Sequence, residues 1–142
     1  MREIEFRGII APLFVVGKKS TKNIWIYGSL RSTSHEHPQI AAGDLGLWTN
    51  VKPETVGQWT GIFDIDGNRL YEGDVVEMKG YINTFITGVL IYSNQQGCYI
   101  VYREDGNSMF VMEARRFKLL GNIFDNSKLQ ERFGHVWRLK NP

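Results

Sequence analysis

The stretch Asp64–Val76, DIDGNRLYEGDVV, carries the strongest fold signal in the chain. In this stretch, Asp66-Gly67 lies between two β-prone pairs: Ile62-Phe63, just before the stretch, and Leu70-Tyr71, within it. Asp-Gly suits a type I′ turn, because glycine adopts a positive φ without steric cost. The stretch therefore predicts a β-hairpin, from which an antiparallel sheet can be built outward.

Short β-branched and aromatic runs follow this hairpin, separated by Gly, Asn, Asp and Ser, as is typical of short strands joined by tight turns. In Cys98–Arg103 alternate residues point to opposite faces, so one face of that strand should look inward and the other outward. The predicted elements are strands at Leu70–Met78, Phe85–Tyr92, Gly97–Arg103 and Met109–Met112, a helical turn at Ala114–Lys118, and a last strand at Leu119–Phe124.

This series predicts a mainly β protein with a small antiparallel SH3-like barrel in residues 61–142, because closing a sheet removes its unpaired edges. Residues 1–60 are expected to form an N-terminal β region, either as a separate lobe or continuous with the barrel. Its clearest strand is Ile24–Tyr27, stopped by Gly28. No long 3.6-residue periodicity is present, so long helices are not expected.

One short helix is predicted near residues 127–133. Ser127 and Gln130 have the spacing of a capping box, and Gly134 can end a helix in the left-handed conformation. Leu129 and Phe133 would pack about two turns of this helix onto the sheet.

Composition narrows the class of protein. The chain has 142 residues, 42% of them hydrophobic, and a formal net charge of +2, which fits one domain or two small lobes and excludes a disordered chain. Its single cysteine, Cys98, lies in an apolar run, and we interpret it as a small buried apolar side chain. With one cysteine no intramolecular disulfide can form, which indicates a reducing compartment. No signal peptide or membrane-length apolar run is present, so we expect a cytoplasmic protein.

Three segments taken together are similar to the YopX family of phage and prophage proteins: PETVGQWTG at Pro53–Gly61, the stretch Asp64–Val76, and LLGNIFDNSKL at Leu119–Leu129. The opening Met1–Gly8 and the segment Tyr27–Leu30 also resemble that family. The resemblance implies a mobile-element origin and a mainly β fold, and it implies no activity. We interpret the motif positions as structural, serving turns, bulges and local hydrogen bonds; they are Gly57, Thr60, Gly61, Gly67, Tyr71, Gly73, Asp74, Gly121 and Asn122.

Catalytic and metal-binding chemistry finds little support. An EF-hand loop counted from Asp64 would need Gly at the sixth position and Glu at the twelfth, but Gly67 is fourth and Val75 is twelfth. His35 and His37 could share one face of a strand, yet zinc needs three or four ligands. No nucleophile elbow or phosphate-binding loop is present. We therefore expect neither an enzyme nor a cofactor, with a metal-dependent enzyme as the weakest alternative.

The C-terminal end has a distinctive charge. Residues 114–142 contain seven Lys and Arg and two acids, a net charge of +5, against −3 for the rest of the chain. Cations bind phosphates and rings stack on bases, so the interleaved residues are candidate contacts to nucleic acid or to a protein partner. They are Arg132, His135, Trp137, Arg138 and Lys140.

These observations lead to a principal hypothesis and an alternative. The first is a non-catalytic interaction protein of a phage or prophage that binds a protein partner or itself. The alternative is nucleic-acid binding through the C-terminal end, which would weaken with salt. A further interpretation gives that end no binding role: it is a C-terminal strand that packs on the rest of the protein and leaves its charges in solvent.

Overall fold

The computed structural model describes residues 3–11, 22–32, 37–43, 46–80, 82–111 and 116–140, with side chains up to residue 138. Eleven strands and one α-helix lie in this part of the chain, so the prediction of a mainly β fold is confirmed. The strands are β1 (Phe6–Ile9), β2 (Trp25–Ser32), β3 (Pro38–Ala41), β4 (Trp48–Asn50), β5 (Gly57–Phe63), β6 (Arg69–Tyr71), β7 (Asp74–Lys79), β8 (Phe85–Ser93), β9 (Cys98–Arg103), β10 (Ser108–Phe110) and β11 (Lys118–Asn122), and the helix is α1 (Ser127–Lys140).

The chain divides into two compact units, which we call unit 1 (residues 1–59) and unit 2 (residues 60–142). Strand β5 runs through the boundary between them. In unit 1 the strands are antiparallel in the order β4-β3-β2-β1-β5. No helix in the described residues is both long and apolar enough to cross a membrane.

Unit 1 is held by a small buried core and by one close backbone approach. Ile9, Ile40 and Val51 are buried there. Gly28 in β2 lets β3 come close, because a Cβ at this position would lie 1.9 Å from the carbonyl oxygen of Ala41. The stop at Gly28 expected from the sequence is wrong, since β2 continues through it to Ser32.

Unit 2 contains an antiparallel sheet in the order β10-β9-β8-β7-β11. Strands β7 to β10 form a meander, and β11 returns to pair with β7. The described strands do not pair β10 with β11, so the sheet is open at both edges. The predicted helical turn at 114–118 lies partly outside the described residues, and Lys118 belongs to β11 instead.

Both faces of this sheet are buried. One face carries Val75 and Val89 and is covered by α1. The other carries Val76 and Leu90, which pack in a second cluster with Phe117. The prediction that one face of the Cys98–Arg103 strand looks outward is wrong, because Ile100 is buried in the first cluster and Val101 in the second.

Helix α1 is twice as long as the sequence pattern indicated. It has 14 residues and passes through Gly134 without ending, so both the boundary near 133 and the C-terminal strand are wrong. The N-cap residue of α1 is Asn126, one residue before the predicted cap Ser127. Its Oδ1 atom accepts the N–H groups of Lys128 and Leu129, each at 3.1 Å. The apolar side chains that pack on the sheet are Leu129, Phe133, Val136 and Trp137.

The extra length of α1 should matter for stability, and Trp137 tests this. Its side chain is 5% exposed and meets the ring of Phe124 edge-on at 5.5 Å between centroids. Trp137→Ala should lower the free energy of unfolding by about 3–5 kcal/mol, because it leaves a cavity in the core. Urea denaturation followed by circular dichroism measures this.

The matched control is His135→Ala, on the same helix but exposed. It should change the unfolding free energy by no more than about 0.5 kcal/mol. Equal losses in the two variants would contradict the packing of α1 described here.

Candidate binding surface

The motif stretch that begins at Asp64 folds as a tight turn between β5 and β6. Gly67 has a φ of +84° and donates its N–H to the carbonyl of Asp64 at 3.1 Å, so a turn is present where the sequence predicted one. The predicted type I′ geometry is wrong, because that type needs a positive φ at both central residues and Asp66 does not have one. Asp64 is buried. Its two carboxylate oxygens accept hydrogen bonds from Asp66 N, Asn68 N, Asn68 Nδ2 and Leu119 N at 2.7–3.1 Å.

These hydrogen bonds determine how Asp64 titrates. Burial alone would raise its pKa, but the hydrogen bonds from Asn68, Leu119 and Asp66 outweigh burial and lower the pKa below its ordinary value of 3.8. Because the bond from Leu119 comes from β11, the carboxylate joins the turn to a strand more than fifty residues away.

The second motif turn links β6 and β7. Gly73, at a φ of +90°, donates its N–H to Leu90 at 2.8 Å and accepts from the N–H of Ile123 at 3.1 Å. The carboxylate of Asp74, 1% exposed, accepts the N–H of the buried Tyr71 at 2.7 Å. This turn therefore connects β6, β8 and the segment that follows β11.

The remaining motif positions also support the backbone. Thr60 donates its hydroxyl to the carbonyl of Leu70 at 2.8 Å. The Oδ1 atom of Asn122 accepts the N–H groups of Phe124 and Asp125, both at 2.9 Å. Gly121 follows an irregularity in the β11–β7 register, and a Cβ there would lie 3.1 Å from the side chain of Leu129. Two further glycines lie in β5: Gly57, which is buried, and Gly61, at a φ of +86°.

As far as residue 138, the C-terminal side chains do not form the mixed cationic and aromatic surface that the sequence predicted. Trp137 is in the core, so its predicted contact to a base or partner is wrong. Arg132 is paired with Glu104, with Nε 2.8 Å from Oε1. His135 and Arg138 are exposed, and the side chain of Lys140 lies outside the described residues.

The histidine pair offers no metal centre in the described part of the chain. His37 is exposed, whereas His35 lies outside the described residues. Among the residues that are described, His, Cys, Asp and Glu form no group of three that could hold a metal ion.

The structure instead brings together a group of residues that the sequence analysis did not single out. They line a shallow depression of about 530 Å³ on unit 2, which we call the basic depression; the lining residues are Ile65, Glu77, Lys79, Phe85, Arg116 and Lys118. Ile65 and Phe85 are 55% and 62% exposed, although both are large and apolar.

The basic depression lies on the sheet face that α1 covers, at its uncovered end. Val75 in β7 is buried under the helix, and two and four residues further the same face presents Glu77 and Lys79. Pairing places Phe85 opposite Lys79, and Lys118 opposite Glu77. The N–H of Ile65 donates to the carbonyl of Phe117 at 2.9 Å, which holds the β5–β6 turn beside this group.

The charge of the basic depression is unbalanced. Lys79, Arg116 and Lys118 contribute three cations against the one carboxylate of Glu77. Exposed apolar side chains ringed by polar groups are typical of interaction sites. The arrangement offers cations to an anionic ligand and apolar side chains to an apolar portion of that ligand.

One sequence signal for this surface was the alternation of polar and apolar residues in β7. That signal says which residues share a face, but the neighbours of that face depend on strand order. Lys79 meets Phe85 across a hairpin, whereas Lys118 reaches Glu77 only because β11 returns beside β7.

The fold and the depression define a mainly β, two-unit protein with a candidate surface for an anionic partner. A family model described as YopX protein matches residues 15–131, and the chain belongs to this family. The opening residues that also resembled the family lie outside the match. No curated protein and no solved structure matches the chain.

Asp64 yields a prediction that depends on pH. Asp64→Asn keeps the size of the side chain, but the amide nitrogen cannot accept a hydrogen bond, so the free energy of unfolding at neutral pH should fall by about 1–3 kcal/mol. The folded-state pKa is lowered, so the carboxylate stabilises the protein above its unfolded-state pKa, and this is lost as pH falls through the folded-state pKa. The gap between wild type and variant should therefore narrow below about pH 4.

Urea denaturation at a series of pH values measures this gap. The control is Asp66→Asn in the same exposed turn, which leaves the Asp64 carboxylate in place and should retain wild-type behaviour. A gap that is constant from neutral to acidic pH would show that the Asp64 charge contributes nothing to stability.

Proposed function

We propose that this chain is a non-catalytic interaction protein that binds an acidic, partly apolar segment of a partner protein in the basic depression. The observation that carries the proposal is the grouping of Lys79, Arg116 and Lys118 around two exposed apolar side chains, Phe85 and Ile65. The cations favour carboxylates of a partner, and the apolar side chains offer a place for one or two anchoring residues.

Energies support a mixed ligand over a purely acidic one. Exposed ion pairs contribute only about 0.2–1 kcal/mol each, so three cations alone give weak binding. Covering an exposed phenylalanine adds about 1.5–3 kcal/mol. The cations would therefore select the partner and hasten the encounter, and the apolar contact would provide most of the affinity.

The finer fold and setting are part of the same proposal. We propose that the sheet of unit 2 is an SH3-like barrel, which is supported by a four-strand meander and a last strand that returns beside the first. Membership of the YopX family supports a phage or prophage origin, and the single cysteine fits the cytoplasm of a host bacterium. Small barrels frequently serve as binding modules.

The test uses the whole protein and three synthetic peptides of equal length. The first combines glutamates with leucine and phenylalanine, the second has glutamates with serines only, and the third replaces the glutamates of the first by lysines. Isothermal titration should give the tightest binding for the first peptide. Phe85→Ala should weaken that binding about tenfold, equivalent to about 1.4 kcal/mol.

A charge-reversal test distinguishes binding in the basic depression from nonspecific electrostatic attraction of the peptide to the protein. Lys79→Glu combined with Lys118→Glu should weaken the acidic–apolar peptide about tenfold or more at low salt, because attraction becomes repulsion. Lys128→Glu, an exposed lysine on α1 outside the depression, is the matched control and should have little effect. Equal affinity for all three peptides, or an equal loss from Lys128→Glu, would overturn the proposal.

A further inference from the structure

A second surface, in unit 1, combines rings with guanidinium groups. Alternation along β2 places Trp25, Tyr27, Ser29 and Arg31 on one face. Pairing continues that face across the neighbouring strands, from Arg31 through Gln39 to Asn50, and from Ser29 through Ala41 to Trp48. We call this the tryptophan–arginine face and define it by six residues: Trp25, Tyr27, Arg31, Gln39, Trp48 and Asn50.

The opposite face of β2 and β3 carries one of the core residues of unit 1. Ile40 in β3 is completely buried, whereas its neighbour Gln39 is half-buried and Tyr27 is 44% exposed. The tryptophan–arginine face is therefore open to solvent along β2 from Tyr27 to Arg31. It is closed near β1 and at Ala41, because Arg7, Ile9 and Ala41 share this face by register and are buried. Of its rings, Tyr27 is exposed and Trp25 and Trp48 are half-buried, and partly exposed apolar surface of this kind is typical of binding surfaces.

The cations on this face are held in place by the rings and by amides. The guanidinium of Arg31 lies 4.4 Å from the centroid of the Trp48 ring, and that of Arg7 lies 4.6 Å from the centroid of the Trp25 ring. Arg7 is only 5% exposed, so Arg31 is the cation of this pair that an external phosphate can reach. The Nε and Nη2 atoms of Arg31 donate to the Gln39 amide oxygen at 3.2 and 2.5 Å, and Gln39 donates to Asn50 at 2.8 Å. Arginine has five N–H donors, so Arg31 retains donors for an external acceptor.

We propose that the tryptophan–arginine face binds single-stranded nucleic acid. Guanidinium groups bind phosphates, aromatic rings stack on bases, and the amides of Gln39 and Asn50 can bond to base edges. The row from Trp25 to Arg31 is about 20 Å long at about 3.3 Å per residue, a length suited to a few nucleotides. A fixed guanidinium on an indole ring loses little conformational entropy when a phosphate arrives.

Single strands fit this face better than the other candidate occupants. A duplex hides its bases from flat rings, so stacking would be lost. A second copy of the chain would bring its own guanidinium groups to the same surface and would add like-charge repulsion. The proposal uses unit 1 alone and does not depend on the basic depression.

The test is fluorescence anisotropy with labelled oligothymidylate and oligouridylate of about 12 nucleotides, and with a duplex of the same length. The whole protein should bind the single strands more tightly than the duplex, and affinity should fall steeply between about 50 and 200 mM salt. Arg31→Ala and Trp48→Ala should each weaken binding about tenfold. Trp48→Phe, which keeps a ring, should retain most of the affinity.

Two further variants distinguish a loss of stacking from a disturbed fold, and a loss at this face from a general loss of positive charge. Tyr27→Ala removes an exposed ring without touching the core, so it reports on stacking even where Trp48→Ala disturbs the fold. Arg138→Ala removes an exposed cation from α1 and is the matched charge control. It should lower affinity no more than about twofold.

Several outcomes would overturn the proposal. These are no binding at low salt, equal affinity for the duplex, or an equal loss from Arg138→Ala. Another is sedimentation showing a dimer that Arg31→Ala and Trp48→Ala dissociate, without oligonucleotide binding by either form. That result would make the face an interface between copies of the chain.

Discussion

The sheet of unit 2 has to bury both of its faces, and most of the structure around it follows from that requirement. Val75 and Val76 are adjacent in β7, and Val89 and Leu90 are adjacent in β8, so each strand sends large apolar side chains to both sides. An antiparallel sheet usually leaves one face to solvent. Here α1 covers one face, and the second cluster around Phe117 forms on the other.

The turn residues of the motif make this double burial feasible. A chain that covers both faces must reverse direction next to the sheet, where backbone N–H and C=O groups risk being buried without partners. Asp64, Asp74 and Asn122 satisfy such groups with side-chain oxygens, and Gly73 does so with its own backbone. The motif therefore lies where the chain returns onto the sheet, which explains why it is rich in Gly, Asp and Asn.

Local signals could be predicted from the sequence, and long-range ones could not. The Asp66-Gly67 turn depends on a few neighbouring residues, and so does the packing of Leu129 and Phe133. The length of α1 failed because Gly134 resembles a terminator, whereas Val136 and Trp137 one turn later continue the apolar stripe that fastens the helix. Core packing outweighs the cost of about 1 kcal/mol for a glycine inside a helix.

The charge asymmetry of the chain identified a segment rich in cations, but not which of those cations lie close together. Arg116 and Lys118 belong to the basic end, but β11 carries them to Lys79, which lies nearly forty residues earlier. Lys128, Arg132 and Arg138 of that end lie instead on α1, where Arg132 is paired with Glu104. Counting charges by sequence position thus detects an excess of cations, but only strand order shows which of them converge. Because α1 stops short of covering Phe85, the uncovered end of its sheet face is where that excess meets exposed apolar surface.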